Sequence, residues 1–193
     1  MSNDAIYWCC FLFSFFLMSR KSNMVRDSVS GFDSSNQLCP KNIILGGDYL
    51  KVQIFWSKTI QFGERFLEIP LVRIHNSPLC PVQAFFNMSK LVPASESDPA
   101  FLLKCGSHYR VLTYSNFQSK LRQLLESCNL DSSLYSSHSF RRGGASWAFH
   151  SKVPSELIQL HGDWQSDAYK IYLEFSFDDK LSVSRAMASS LFL

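Results

Sequence analysis

The sequence has no apolar run long enough to span a bilayer. Its longest, AIYWCCFLFSFFLM over residues 5–18, has fourteen residues, about two turns short of the roughly 20 that a spanning helix needs. Nor does it have the flanks of a secretory leader. Asp4 precedes it instead of a basic region, and Met18-Ser19-Arg20-Lys21 follows it instead of a small-residue cleavage site. The run therefore reads as a buried core helix, and no membrane association is expected. None of the six cysteines forms a Cys-x-x-Cys pair or stands at zinc-finger spacing from histidine, which argues against a structural zinc site. The chain is neither small nor visibly secreted, so a disulfide framework is not required. Cys9, Cys10, Cys39, Cys80, Cys105 and Cys128 read as buried free thiols in a reducing compartment. Charge is also scarce: 18% of residues are charged and the net charge is +3, a balance that by itself does not point to nucleic acid. There is no internal repeat and no carboxylate cluster of the kind that holds magnesium or calcium.

What is present is apolar and aromatic. Hydrophobic residues make up 46% of the 193, and 17 are phenylalanine, which excludes a disordered tail or a coiled coil. The length suits one domain, at most with an arm, and such a chain buries roughly two thirds of its unfolded surface. The order of elements is helix, small sheet, helices. A first helix over 5–19 precedes a Ser/Gly/Asp-rich loop at 28–36. Strands are expected at 41–45, 49–57 and 65–71; the second alternates Leu50, Val52, Ile54 and Trp56 against Lys51, Gln53 and Phe55. Gly46-Gly47-Asp48 and Gln61-Phe62-Gly63-Glu64 supply the turns of a two-hairpin meander. Pro81 opens a helix to Leu91. Thr113 caps a helix carrying Phe117, Leu121, Leu124 and Leu125, with Asn129 as its stop. Further helices are expected at 139–150 and 154–160, and from the Ser166 cap to 174, while 178–193 reads as a weak helix or tail.

Two short strings carry chemistry. In His138-Ser139-Phe140-Arg141 an imidazole and a guanidinium stand three residues apart, on one face of a helix. Gly143 and Gly144 follow, and they admit close approach of another backbone or a ligand. That pair suits an anion, phosphate above all. Twenty residues on, a short helix ends at Gly162, Trp164 follows, and a capped segment carries Tyr169 and Tyr172. Alone, the first string is equally well read as a helix N-terminus with incidental polar residues, and the tyrosines of the second read as core or surface aromatics before nucleophiles.

Together they resemble the catalytic domain of the tyrosine recombinase (phage integrase) family. The strings HSFRRGGASWAF, PSELIQLHGDWQSDAYKIYL and WSKTIQFGE are most similar to its eukaryotic mobile-element branch, the Crypton- and DIRS-type recombinases, and the resemblance runs from about residue 5 to about residue 175. The fold it implies is α+β, mainly helical, with a small three-stranded antiparallel sheet. Residues 1–193 would form a single catalytic domain, without the separate N-terminal domain that completes the DNA clamp, and 176–193 would be a C-terminal tail or helix. Carried over by position, the resemblance implies Arg20 (in Arg20-Lys21-Ser22-Asn23), Lys58, His138, Arg141, Trp164 and Tyr172 as catalytic residues; Lys21, Arg26 and Arg142 read equally as DNA phosphate contacts or as solvated charges. Two departures stand out: Trp164 is second after Gly162 where many members place this residue first, and Trp164 to Tyr172 is about one residue short. Asp163 and His161 remain alternatives to Trp164, and Tyr169 is the rival nucleophile.

The implied reaction is transesterification of double-stranded DNA through a 3′-phosphotyrosyl intermediate, which conserves bond energy and needs no cofactor. The arginines would clamp the non-bridging oxygens, His138 would serve as base or hydrogen-bond donor, and Lys58 would protonate the leaving 5′-oxygen. Self-association as a tetramer on DNA and a nuclear location are further implications. The alternative is an inactive or truncated DNA-binding remnant of a mobile element, with a regulatory role or none.

Overall fold

A computed structural model describes residues 3–28, 32–58, 60, 65–173 and 175–190. The Phe-rich run forms helix α1 (Asp4–Phe16), and from Cys9 to Ser14 every side chain is buried. A helix apolar on all sides belongs in the centre of a core, and α1 lies there. Phe13 packs against Phe85 and Phe101, and Phe11 against Phe117 and Phe140. Each such fully buried ring contributes about 1.5–3 kcal/mol relative to exposure. No described helix is long and apolar enough to cross a membrane.

The expected extension of α1 to residue 19 does not occur. The helix stops at Phe16, Met18 takes a left-handed backbone (φ 47°), and Arg20 sits in extended conformation as the N-cap of a one-turn helix, α2 (Lys21–Met24). Arg20 is thus outside α1, freed from the helical direction.

Three strands follow: β1 (Ile43–Leu45), β2 (Tyr49–Ile54) and β3 (Leu67–Val72), paired antiparallel in the order β1-β2-β3. The alternation of β2 holds, with Leu50, Val52 and Ile54 buried against the core. All three strands are shorter than expected. Pro40–Asn42 forms a 3-10 turn before β1, and pairing of β2 with β3 ends at Ile54↔Leu67. The turn expected at residues 61–64 lies outside the described residues.

Helix α3 (Pro81–Leu91) starts at its proline as expected. A two-stranded hairpin, β4 (Leu102–Cys105) and β5 (His108–Val111), was not expected; Gly106 makes its turn at φ 63°, where glycine carries no steric cost. Helix α4 (Tyr114–Ser127) is capped by Thr113, and Asn129, at φ 58°, follows its end. Helix α5 (Ser137–His150) begins two residues earlier than expected, because Ser136 and Ser139 form a capping box. Helix α6 (Ser155–His161) follows Pro154. The segment after Ser166 is a 3-10 turn, Asp167–Tyr172, and not an α-helix. Helix α7 (Phe177–Ser189) closes the described chain, with none of its residues buried.

A second, smaller core joins Met18, Ala145, Ile158, Tyr169 and Leu173. It docks α5, α6 and the 3-10 turn onto the end of α1. The close approach expected at the glycine pair is realised there: a Cβ on Gly144 would overlap the Phe15 carbonyl oxygen. All six cysteines are free, four of them buried, but Cys105 is half-buried and Cys128 exposed, so burial is not uniform.

Candidate active site

The site is built on the end of α1. A helix leaves its last carbonyls without internal partners, and here neighbouring side chains satisfy two carbonyls at that end. His161 Nε2 donates to the Phe16 carbonyl at 2.7 Å, and Arg141 Nη1 donates to the Met18 carbonyl. Both are groups that the negative end of a helix favours. Arg141 is only 4% exposed. Its guanidinium lies over the Trp164 ring, 3.8 Å from the centroid, and its Nη2 is buried without a hydrogen-bond partner. Burial and the neighbouring charge of Arg20 push its pKa down to about 10, so it stays cationic at neutral pH. A buried cation with one donor unused is chemically suited to an anion.

Three residues before it on α5, His138 places Nε2 2.9 Å from Tyr172 Oη. Burial, then Arg141 and Arg142, push the His138 pKa below its ordinary value, so the imidazole is neutral and able to accept the phenolic proton. Tyr172 is half-buried. Ser146 Oγ donates to its carbonyl at 2.5 Å, its ring packs near Trp164, and the Arg142 guanidinium lies 5.6 Å from that ring. Tyr169, by contrast, is 1% exposed and forms part of the second core.

Gly162 and Asp163 connect this group to Arg20. The Trp164 ring folds back over Gly162 so closely that a Cβ there would overlap it. The left-handed residue after α6 is not the glycine but Asp163, at φ 55°. Its carboxylate is buried and accepts from Arg20 Nη1 at 3.1 Å, Ser57 Oγ at 2.7 Å and Arg65 Nη2 at 2.7 Å. Its carbonyl accepts from Arg20 Nη2 at 3.0 Å.

The structure therefore brings His138, Arg141, Arg142, Trp164 and Tyr172 together, with Arg20 close enough to Arg141 for their charges to interact. Lys58 is exposed in the turn just past Ser57, not on a strand. Lys21 pairs with Asp27 at 2.7 Å and lies over the Tyr114 ring, so it is engaged away from this group. Of the alternatives to Trp164, His161 is committed to the α1 carbonyl and Asp163 to the arginines. Sequence reasoning missed Arg65, Ser57 and Ser146: Ser57 lies inside the WSKTIQFGE string and Ser146 inside HSFRRGGASWAF, but neither was singled out, and Arg65 only follows the first of these strings. Among the described residues no group of three or more His, Cys, Asp or Glu could hold a metal ion.

No family model matches the sequence, and no curated protein sequence matches it. Solved structures do match. The chain is similar to the XerH site-specific recombinase bound to difH substrate in a pre-cleavage complex, with a TM-score of 0.64 and 16% identity, covering 95% of this chain and 48% of that one. The post-cleavage complex of XerH with a palindromic difH substrate gives 0.65 over 95% and 46%, again at 16% identity. The FLP recombinase–Holliday junction complex gives 0.53 at 15% identity over 85% and 39%. This chain thus spans about half the length of those proteins or less. The α+β architecture, mainly helical with a three-stranded antiparallel sheet, is a tyrosine-recombinase-like fold.

Proposed function

We propose that this chain breaks and rejoins double-stranded DNA as a site-specific tyrosine recombinase. The observation that carries the proposal is the 2.9 Å contact between His138 Nε2 and Tyr172 Oη, beside the buried Arg141 whose Nη2 has no protein partner. The solved structures of similar fold are recombinases in complex with DNA, which supports the same substrate here.

In the proposed step, Tyr172 Oη attacks a backbone phosphorus. The Tyr–O–P bond forms and the bond to the 5′-oxygen breaks. His138 takes the phenolic proton, and Lys58 gives a proton to the departing 5′-oxygen. An unassisted tyrosine of pKa about 10 is ionised only to about one part in a thousand at neutral pH, so the acceptor matters. Arg20 and Arg141 face the non-bridging oxygens, where negative charge grows. Attack of a second strand's 5′-hydroxyl reverses the step and reseals the DNA. The test is a pool of nicked duplexes with randomised cores, which trap the intermediate when the short 5′-strand diffuses away. A detergent-stable protein–DNA complex is expected. A chain that binds duplex yet traps none across the pool is the inactive DNA-binding remnant instead.

The state of His138 sets a pH dependence. Its pKa lies below the ordinary value of 6.5, so the neutral, accepting form predominates at pH 7 and is lost as pH falls through that lowered value. Single-turnover cleavage is expected to fall as pH drops through that lowered value, by about tenfold per unit once His138 is mostly protonated. A rate that rises on acidification contradicts the base role.

Self-association belongs to the same proposal. Helix α7 leaves Phe177, Val183 and Met187 exposed. A cleft of about 640 Å³ between α5, α6 and β3 is lined by Trp147, Leu157, Leu160 and Leu67. Docking of α7 into the cleft of a second copy would cover both apolar surfaces. Sedimentation on cleavable DNA should show more than one copy, reduced to one by Phe177→Asp with Met187→Asp. Unchanged stoichiometry in that variant removes α7 from the interface.

A further inference from the structure

The buried carboxylate of Asp163 is held by two arginines and a serine, yet none of the proposed steps uses it. Its side chain is 5% exposed and takes hydrogen bonds from three separate segments: Arg20 at the entry to α2, Ser57 at the end of β2, and Arg65 at the approach to β3. Resting on the proposed recombinase reading, we infer that Asp163 is a positioning residue, acting through Arg20 and Ser57 to hold the phosphate clamp and the Lys58 turn in one register.

The geometry gives three reasons. First, Arg20 is gripped at both ends of its fork. Nη1 goes to the carboxylate and Nη2 to the carbonyl of the same residue, which fixes the guanidinium plane and leaves its remaining N–H groups directed elsewhere. Second, Ser57 is the base of the turn that carries Lys58. Its backbone bridges Ile60 in both directions at 3.1 Å, and its hydroxyl accepts from Ile60 N at 3.2 Å while donating to Asp163 at 2.7 Å. One carboxylate thus ties a phosphate-binding arginine to the backbone that presents the proposed general acid. Third, Arg20 and Arg141 repel each other, whereas Asp163 favours the charged form of Arg141. A negative charge there keeps two cations within reach of one phosphate before any phosphate arrives. This is preorganisation: the donors are aimed without reorganisation cost when the substrate binds.

Asp163→Asn is the informative variant. Asparagine tolerates the left-handed backbone at φ 55° better than most residues, so the loop is retained while the charge is lost. Cleavage of the nicked duplex is expected to slow by about 10- to 100-fold, the scale of losing charge-assisted hydrogen bonds. Affinity for the same duplex should hold or tighten, because a negative charge has left the phosphate site. A merely structural role would weaken both. Ser57→Ala should slow cleavage in the same direction by less. Nitrogen-15 spectra of the arginine side chains provide a readout that needs no activity. Arg20 should show restricted, resolved Nη signals in the wild-type chain that collapse to fast rotation in Asp163→Asn. If the wild-type chain traps no DNA but this collapse is seen, the recombinase reading falls and the positioning of Arg20 stands. If cleavage is unchanged in Asp163→Asn, or the Arg20 signals are, the inference is overturned.

Discussion

Tyr172→Phe is expected to abolish the covalent DNA complex entirely while leaving the fold and duplex binding in place. The change removes one oxygen atom. The ring still packs near Trp164 and edge-on to His138, and the Tyr172 carbonyl still accepts from Ser146. The only bond lost is the one to His138, which costs about 0.5–1.5 kcal/mol of stability. No other group on the 3-10 turn can replace the nucleophile. Tyr169 points into the second core at 1% exposure, and a DNA phosphate cannot reach it without unpacking Trp164 and Ile158. Tyr169→Phe is accordingly expected to leave cleavage close to wild type. Gel mobility under denaturing conditions separates the outcomes: a complex that survives in Tyr172→Phe and disappears in Tyr169→Phe would exchange the two assignments.

The second large effect is at Arg141. Arg141→Lys should lower single-turnover cleavage by about 10²- to 10³-fold, comparable with removing one donor from an oxyanion site. Lysine keeps the positive charge but has no planar fork to reach the Met18 carbonyl and a phosphate oxygen together, nor a flat face for the Trp164 ring. Arg141→Ala should cost as much in rate and also destabilise the chain by about 1–3 kcal/mol, because the Met18 carbonyl loses its donor in a buried setting. Comparing the two variants by urea denaturation and by cleavage rate separates the chemical loss from the structural one. Equal rates for wild type and Arg141→Lys would mean that charge alone is used and that the unpartnered Nη2 has no part in phosphate binding.

Much of the fold was legible because its signals are local. Period-two alternation over 49–54, Pro81 at a helix start, and the caps at Thr113 and Ser166 all act within a few residues. What was not legible depends on tertiary contacts. Nothing near residue 16 marks the end of α1; the helix stops because Met18 turns left-handed where α5 and α6 dock, and no glycine or proline advertises it. The β4–β5 hairpin escaped notice because its strands are four residues each, and β5 exposes His108, Tyr109 and Arg110 in succession, leaving no alternation to read. The segment after Ser166 has a good cap but only six residues before the chain must turn, which favours 3-10 geometry.

The candidate site divides in the same way. The His-x-x-Arg spacing puts His138 and Arg141 on one side of α5 by helical geometry alone, and the short path from Gly162 to Tyr172 returns the chain to that side. Asp163 is different. A sequence reading expects glycine to be the left-handed residue after α6, yet Gly162 is right-handed and is required instead by the Trp164 ring lying on it. The arginine–aspartate–serine cluster joins residues 20, 57, 65 and 163, separations at which no motif spacing operates. Arg65 in particular carries no pattern of its own, and only the folded chain shows that it shares a carboxylate with Arg20.

The central claim is that Tyr172 becomes covalently joined to DNA. The most direct measurement is mass spectrometry of the trapped complex after nuclease trimming and proteolysis. The account predicts a phosphonucleotide adduct on the peptide containing Tyr172, with fragment ions placing it on that side chain. An adduct located on Tyr169 or any other residue, or no adduct on any duplex in the randomised pool, would contradict it.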